Sequence, residues 1–369
     1  MATVTKVGKR FNEVFTQHTP LTLTLDFDQG DKLVIFSDCH RGVGDDADDF
    51  QACEASYLAA LKHFAKAGHR VLLLGDIEEL WEVGRSSWKK IFQRYPAIYA
   101  LEKELNEQGR LVRMFGNHDY YWRKNHALLD AVLGPVTMVE SVLVDVRLGG
   151  ASLGGLFLLH GHQGDFWSED MTDLSEKVVR EVWATIQRAT DVRSTTWEGD
   201  VFDLRGHRDR SVYYDWAVTR DRVVTVTGHT HKAILPEADN PSEATYAQRL
   251  ATKLAARARA SSLSHEGRAA FRHLAKVWRD RSARALQSGG GGFRSAVMNS
   301  GCCCYDNGRV TALEFASGDV TLSAWADGKK PVAQGSRPLP ALFGELSAPS
   351  ALNFNSAHVV EDESLGAVG

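Results

Sequence analysis

Residues 111–119 read Leu-Val-Arg-Met-Phe-Gly-Asn-His-Asp, an apolar run that ends directly in a cluster of polar side chains. The same arrangement recurs four times, where polar clusters follow strand-like runs at 33–37, 71–74, 156–159 and 223–227. Short apolar runs are typical of strands that are buried on both faces. Open α/β sheets place their chemistry at the carboxyl ends of such strands. The five clusters are therefore predicted to meet in one site.

Carboxylate, amide and imidazole side chains fill seven candidate metal-ligand positions in these clusters: Asp38, His40, Asp76, Asn117, His160, His229 and His231. Asp38 and His40 are two residues apart, a spacing at which side chains of an extended chain point the same way. His229 and His231 repeat that spacing, and such a set can hold two divalent ions roughly 3.5–4 Å apart. The donor mixture suits Mn, Fe or Zn, because it is too rich in nitrogen for calcium or magnesium.

Two adjacent divalent cations suit the chemistry of a phosphate ester. They neutralise its negative charge, hold it in line and turn bridging water into hydroxide near neutral pH. His118 is the predicted catalytic residue that assists, and the carboxylate of the next residue, Asp119, is predicted to poise it. Asn117, Arg41 and His162 are the candidates for binding the phosphorylated substrate.

The order of strands and helices predicts an α/β or α+β fold with two sheets. Helical spacing of apolar residues over 50–67, and a second helix over about 86–107, separate the first three buried strands, which implies parallel pairing through right-handed crossovers. Further strands are predicted at 22–27, 136–146, 153–160, 223–227, 296–299, 309–315 and 320–325. Two facing sheets with helices outside fit this mixture.

Two insertions interrupt a catalytic domain that is predicted to span residues 1–330. Residues 165–221 are polar and aromatic and are predicted to form a lid over the site, with a surface elaboration as the alternative. Residues 237–294 read as a helical hairpin, and 241–294 hold eleven Lys and Arg against three Asp and Glu. This basic segment could meet an anionic lipid surface, a nucleic acid or an acidic partner, or it could be a solvated helix face. Residues 331–369 are predicted to be disordered.

Composition favours a soluble globular protein. The 369 residues are 43% hydrophobic and 24% charged, and the net charge of −4 does not indicate a nucleic-acid or membrane partner for the whole molecule. The first ten residues lack the apolar core of a signal peptide, and no run approaches the ~18 apolar residues of a transmembrane span, so a cytoplasmic location is expected. Three of the five cysteines are consecutive (302–304), which favours buried, reduced thiols over disulfides; a zinc knuckle is the alternative, although CxxC spacing is missing.

The motif order D-x-H, GD, GNHD, H and GHTH resembles the calcineurin-like metallophosphoesterases, over residues of about 33–326 without the insertions. The resemblance implies a four-layer αββα sandwich around a dinuclear centre. It implies that Asp38, His40, Asp76 and His231 hold the first ion, and that Asp76, Asn117, His160 and His229 hold the second. It also implies a catalytic role for His118, oriented by Asp119. The family's N-(S/T)-G strand is matched by Asn299-Ser300-Gly301.

Residues 75–81, Gly-Asp-Ile-Glu-Glu-Leu-Trp, resemble the GD-x-x-E-x-W segment of bacterial UDP-2,3-diacylglucosamine pyrophosphatases, which cleave a lipid-linked diphosphate at the membrane surface. Two positions depart from that subfamily, which has Arg in place of His118 and Asp in place of His162. The alternatives are therefore a cytoplasmic phosphoester hydrolase, a nucleotide-lipid diphosphatase peripheral to the inner face of the membrane, a nuclease, and a scaffold that has lost its metals. The sequence has no obvious stacking platform for single-stranded nucleic acid, so a nucleic-acid substrate is disfavoured.

Overall fold

The computed structural model describes residues 6–16, 20–45, 48–163, 213–236, 296–326 and 330–347, together with single residues between 248 and 283. Among them the strands are β1 (Leu21–Asp26), β2 (Leu33–Phe36), β3 (Arg70–Leu73), β4 (Leu111–Met114), β5 (Met138–Val139), β6 (Ser141–Leu148), β7 (Ala151–Leu159), β8 (Val223–Thr227), β9 (Val297–Asn299), β10 (Val310–Ala316), β11 (Asp319–Trp325) and β12 (Val332–Pro338). The helices are α1 (Lys6–Thr16), α2 (Glu54–Lys66), α3 (Trp88–Arg94), α4 (Pro96–Glu107), α5 (Trp122–Asn125), α6 (Ala127–Leu133), α7 (Tyr214–Ala217) and α8 (Leu339–Ser347).

The strands form two sheets. One sheet has seven strands in the order β12-β11-β10-β2-β3-β4-β5, and the other has five in the order β1-β6-β7-β8-β9. Strands β2 to β5 pair in parallel, and so do β7 to β9. The loops that follow β2, β3, β4, β7 and β8 carry the predicted ligands, so these parallel runs bring all five polar clusters to the carboxyl ends of neighbouring strands.

The two faces of β2 show how the layers are built. Leu33 and Ile35 belong to the core that also contains residues of the five-stranded sheet, whereas Val34 and Phe36 belong to a second core with residues of α2, α3 and α4. On the far side of the five-stranded sheet, Phe157 packs against aromatic residues of α1 and α7. Two facing sheets with helices on both outer faces confirm the predicted four-layer αββα fold.

The helix predicted over 86–107 is two helices. Tyr95 separates α3 from α4, and Pro96 is the first residue of α4. A proline has no backbone N–H and is tolerated in the first turn of a helix but not in its interior. The chain therefore ends one helix and starts another at this point.

Part of the predicted lid lies in the core instead. Tyr213 stacks on Phe11 of α1, with ring centroids 5.0 Å apart, and Trp216 packs against Phe157 of β7 at 5.4 Å. All four side chains are buried. The prediction of an aromatic lid over 165–221 is thus wrong for the residues from 213 onward, because the sequence cannot distinguish an overhanging aromatic side chain from one that covers a sheet. Residues 165–212 of the predicted lid lie outside the described residues.

The predicted disordered tail is wrong over its first half. Residues 332–338 form β12, which pairs with β11, and residues 339–347 form α8. Helix α8 buries four apolar side chains against the five-stranded sheet, namely Leu339, Leu342, Phe343 and Leu346. Their burial stabilises a segment whose average composition is typical of disorder. Residues 348–369 lie outside the described residues.

In the predicted basic hairpin, the structure describes helical residues at 248, 251–252, 255–256, 268, 272, 275–276, 278–280 and 282–283. Ala275, Trp278 and Ser282 are buried, while Arg272 and Lys276 are exposed on the other side. Among the described residues of this segment, Trp278 is therefore buried while the basic side chains of Arg272 and Lys276 are exposed. No described helix combines the length and the apolar character that crossing a bilayer requires.

Candidate metal centre

The backbone at the predicted ligands is unusual. Five non-glycine residues there have φ between 51° and 62°, in the left-handed region: Asp38, His40, Asp76, His229 and His231. Among the described residues only Arg222 and Ser317 share this feature outside the site. A non-glycine residue in this conformation costs about 1–3 kcal/mol, so such residues persist only where the surrounding structure holds them. Backbone strain is therefore concentrated in the loops that carry the candidate ligands.

This conformation also corrects the reason given for the pairing of Asp38 with His40. The two residues are left-handed rather than extended. Their backbone N–H groups donate to the carbonyls of Gly75 and Asp76, which ties the two loops together. Asp38, His40 and Asp76 still offer donor atoms within 4.8 Å of one another. These side chains therefore lie together as predicted, but a left-handed backbone brings them together rather than an extended one.

Asp76 lies in the middle of the cluster. Its Oδ2 is 3.1 Å from His160 Nε2 and 3.8 Å from His40 Nε2, while its Oδ1 accepts the backbone N–H of His118. Asp76, His160 and His229 form a second group whose donor atoms lie within 4.8 Å. Asp76 is thus shared between a group with His40 and a group with His160, as a bridging carboxylate would be.

Asp38 organises the other side. Its Oδ1 is 3.1 Å from His231 Nε2, and both of its oxygens accept the backbone N–H of His229. His231 Nε2 is also 3.3 Å from His40 Nε2. The two halves of the site, one on each sheet, meet at these contacts.

The donor set fits divalent cations. The Nε2 atoms of His40 and His231 face each other, and imidazole nitrogens so placed need a proton or a cation between them. Asn117 Oδ1 is buried without a hydrogen-bond partner. The next residue, His118, donates its backbone N–H to Asp76 Oδ1, so Asn117 lies next to the centre. A buried acceptor is normally satisfied, and a cation would satisfy this one. Two buried carboxylates, Asp38 and Asp76, supply the negative charge that would offset the ions.

Three glycines allow the ligand loops to approach so closely. A Cβ on Gly116 would lie 2.1 Å from Asp76 Oδ1, and one on Gly228 would lie 2.4 Å from Asp38 Oδ2. A Cβ on Gly75 would lie 2.7 Å from His160 Nδ1. These glycines precede the polar residues of the GNHD, GHTH and GD motifs, so their presence in the motifs has a steric cause.

Replacing Gly116 by alanine is expected to weaken metal binding by more than about 10-fold, since the new methyl group would displace the Asp76 carboxylate. A chelator competition assay measures the affinity. Gly344→Ala in α8 is the matched control, because a Cβ there meets nothing within 4 Å. Equal affinity in the two variants would contradict the proposed closeness of the loops.

Glu79 is a residue of the site that the predicted set of site residues missed. Its Oε2 is 2.6 Å from His118 Nδ1 and 3.0 Å from His40 Nδ1, so one carboxylate bridges two imidazoles. Burial raises the pKa of Glu79, but the neighbouring His118 and His40 outweigh burial and lower this pKa to about 2. Trp81 packs edge-on against His118 with ring centroids 4.8 Å apart. The Glu and Trp of the GD-x-x-E-x-W segment were the sequence signal that could have identified Glu79 as a site residue.

Asp119 has a different role from the one predicted. It accepts the backbone N–H groups of Gly116, Ile77 and Asp76 at 2.6, 2.9 and 3.3 Å, and it is fully buried. Burial and the nearby Asp76 carboxylate raise its pKa to about 7. The prediction that Asp119 orients His118 is corrected, because Glu79 holds the imidazole while Asp119 holds the two loops.

Arg41 is not placed to contact a phosphate. Its guanidinium is fully buried, forms an ion pair with Glu102 at 2.6 Å, and lies over the rings of Tyr57 and Tyr99. Although it follows His40 directly, its side chain points into the core under the helices. The predicted phosphate contact is therefore wrong.

His162 is buried beside His160, with ring centroids 5.4 Å apart, and it lies near the rings of Phe115 and Tyr120. Its predicted contact with phosphate stays a prediction. The five cysteines are free and buried, as predicted. Cys304 lies beside the site, with its Sγ 3.7 Å from His231 Nδ1, and Cys302 also hydrogen-bonds His231.

Comparison with known proteins identifies the fold and the chemistry. A sequence profile described as calcineurin-like phosphoesterase matches residues 32–233, which is more than half of the 369-residue chain. The chain belongs to the calcineurin-like phosphoesterase family. It is accordingly a metal-dependent hydrolase of phosphoesters, as the sequence predicted.

Solved structures with a matching chain include vacuolar protein sorting 29 from Cryptosporidium parvum. It shares 13% identity, covers 84% of this chain and 98% of its own, and has a TM-score of 0.31. A predicted phosphoesterase from Streptococcus pneumoniae shares 10% identity, covers 82% of this chain and 98% of its own, and has a TM-score of 0.25. A comparison with curated proteins gives no match.

Proposed function

We propose that the chain hydrolyses phosphoesters with two divalent ions held by the seven predicted ligands. The observation that carries this proposal is the convergence of carboxylate and imidazole donors from both sheets on the shared Asp76. The first ion would be held by Asp38, His40, Asp76 and His231, and the second by Asp76, Asn117, His160 and His229. When bound, the two ions would neutralise the phosphate and activate water near neutral pH.

His118 is proposed to act as the general acid that donates a proton to the leaving oxygen. Its side chain is 15% exposed, whereas the Glu79 side chain that accepts from its Nδ1 is 3% exposed. An ionised carboxylate at Nδ1 fixes the proton there and leaves Nε2 available to a substrate. When Nε2 also carries a proton, an imidazole oriented in this way can donate that proton to an ester oxygen and be left as the neutral Nδ1–H form, or stabilise the charge that develops on the oxygen.

Metal binding should release protons, because histidine ligates only when it is neutral. Burial lowers the pKa of His160, but the Asp76 and Asp38 carboxylates outweigh burial and raise this pKa to about 9 in the metal-free site. At pH 7 His160 is then protonated, so an ion must displace that proton, and the apparent affinity should increase as the pH rises towards 9. Calorimetry at pH 7 in buffers of different ionisation enthalpy should show at least one proton released. A binding heat that is independent of the buffer would contradict this prediction.

A nucleotide-lipid diphosphatase is the second candidate, and the position of the GD-x-x-E-x-W segment favours it. Both Glu79 and Trp81 contact His118 at the edge of the centre. The exposed Arg272 and Lys276 of the basic segment would suit an anionic membrane surface, and a cytoplasmic protein peripheral to the inner face of a membrane would meet such a substrate.

A substrate panel separates these functions. Aryl phosphate monoesters, aryl diesters and a UDP-linked lipid diphosphate are offered to protein loaded with Mn²⁺, Fe²⁺ or Zn²⁺, with metal-free protein as the control. Hydrolysis of an aryl ester that depends on added metal supports the general proposal. Preference for the UDP-linked lipid, with vesicle binding at low salt that is lost when 249–284 is neutralised, supports the second candidate. Inactivity on every class, with metal bound, would contradict both.

A further inference from the structure

The three consecutive cysteines divide between two environments. Cys302 and Cys304 form a small buried cluster with Tyr305, whereas Cys303 packs into the core that α2, α3 and α4 share with the seven-stranded sheet. Neighbouring residues of this loop thus point to opposite sides. Only the cluster with Cys304 reaches the candidate metal centre.

Cys304 and the proposed ligand atoms lie at opposite nitrogens of one imidazole. Its Sγ is 3.7 Å from His231 Nδ1, a distance that suits an N–H···S hydrogen bond. The other nitrogen of that ring, Nε2, is 3.1 Å from Asp38 Oδ1 and 3.3 Å from His40 Nε2. Nε2 is therefore directed at the centre, and Nδ1 is directed at the Cys304 thiol, while Cys302 of the same cluster also hydrogen-bonds His231.

The cysteine loop is anchored to both sides of the centre that it supports. The Tyr305 hydroxyl donates to the carbonyl of His231 at 3.0 Å, and the backbone N–H of Cys303 donates to the carbonyl of Asp38 at 3.0 Å. Cys304 lies between these two anchors and is fully buried. Its sulfur is consequently held in place against the His231 ring.

We propose that Cys304 is a positioning residue that fixes His231 for the first metal ion by accepting a hydrogen bond from Nδ1. The inference rests on the proposed function, which assigns His231 to that ion. A metal-binding histidine normally donates its second ring N–H to a carboxylate, a carbonyl or water, and such partners set the tautomer and the ring orientation. Here a sulfur occupies that position. Its Sγ and donor atoms of His40 and His231 lie within 4.8 Å of one another, so direct ligation by the sulfur is the alternative that the test must separate from support through Nδ1.

The test compares Cys304→Ala with Cys303→Ala, which removes a neighbouring buried thiol that faces away from His231. Metal affinity is measured by chelator competition, and thermal unfolding checks that both variants fold. Cys304→Ala is expected to weaken binding of one ion by about 10–100-fold, with Cys303→Ala close to the wild type. Cys304→Ser, which keeps a hydrogen-bonding atom and guards against a failure of the alanine variant to fold, is expected to recover most of the affinity.

Absorption of the cobalt-loaded protein provides a second readout. A sulfur bound directly to Co²⁺ gives an intense charge-transfer band in the near ultraviolet, and this band should be missing. A strong band that disappears in Cys304→Ser would overturn the positioning role in favour of direct ligation. Equal affinities of Cys304→Ala and Cys303→Ala would also overturn it, while leaving the proposed function intact. A wild-type protein that binds no metal would instead defeat the proposed function, and this inference with it.

Discussion

Replacing Asp76 by alanine is expected to reduce metal-dependent phosphoester hydrolysis by more than about 100-fold. Removing a residue that only supports a ligand costs about 10–100-fold in metal affinity or activity, and removing a shared ligand should cost more. Asp76 Oδ2 lies within 4 Å of both His160 and His40, which are assigned to different ions. The loss should therefore affect both ions at once.

Two measurements check this expectation: kcat/KM on an aryl phosphate with excess metal, and the number of ions bound per chain. Asp76→Asn refines the test, since its amide oxygen can still accept the His118 N–H while the bridging charge is lost. Asp130→Asn in α6 removes a carboxylate whose oxygen accepts the Val136 N–H. This control should retain activity within a few-fold. An Asp76→Ala protein with two bound ions and near wild-type activity would contradict the assignment.

Replacing His118 by alanine is expected to lower kcat by about 10²–10⁴-fold while metal binding is preserved, because proton transfer by a positioned side chain contributes that much and this side chain is not a proposed ligand. Glu79→Gln should affect metal binding as well as kcat. The Glu79 carboxylate contacts both His118 and the proposed ligand His40, so its loss should lower kcat and also weaken the binding of one ion.

The dependence on the leaving group separates a proton donor from a structural residue. Esters of weakly acidic alcohols should lose more rate in His118→Ala than esters of acidic phenols, which leave without protonation. Glu104→Gln in α4 is the control for Glu79→Gln, since the exposed Glu104 carboxylate accepts a hydrogen bond from the side chain of Gln108 and is not part of the centre. Equal losses for both kinds of ester, or a loss of metal in His118→Ala, would show that His118 does not act as the proton donor.

Much of the fold could be predicted because the decisive strands are fully buried. Strand β2 is apolar throughout, β3 is apolar after Arg70, and turn residues or ligand motifs mark their ends. The first half of the tail was missed for the opposite reason. The average composition of 331–369 is polar and rich in small residues, and it hides the apolar stripe of α8. What orders that segment is contact with a distant sheet, which composition does not reveal.

For the site residues, too, local sequence motifs were informative, whereas contacts between residues far apart in sequence were not predicted. Motif order identified the seven candidate ligands, and the positions of the strands then bring groups of them together. Roles assigned from adjacency in sequence were less successful. Asp119 follows His118 but binds backbone N–H groups, and Arg41 follows His40 but points into the core. Glu79 reaches His118 across 39 residues, a contact that depends on how two loops fold.

Anomalous diffraction from a crystal of the Mn²⁺-loaded protein tests the central claim most directly. Two peaks, roughly 3.5–4 Å apart, should lie on either side of Asp76 and within bonding distance of the seven proposed ligands. A single peak, or ions bound elsewhere while Asp38, Asp76 and the four histidines contact only one another, would contradict the two-metal account.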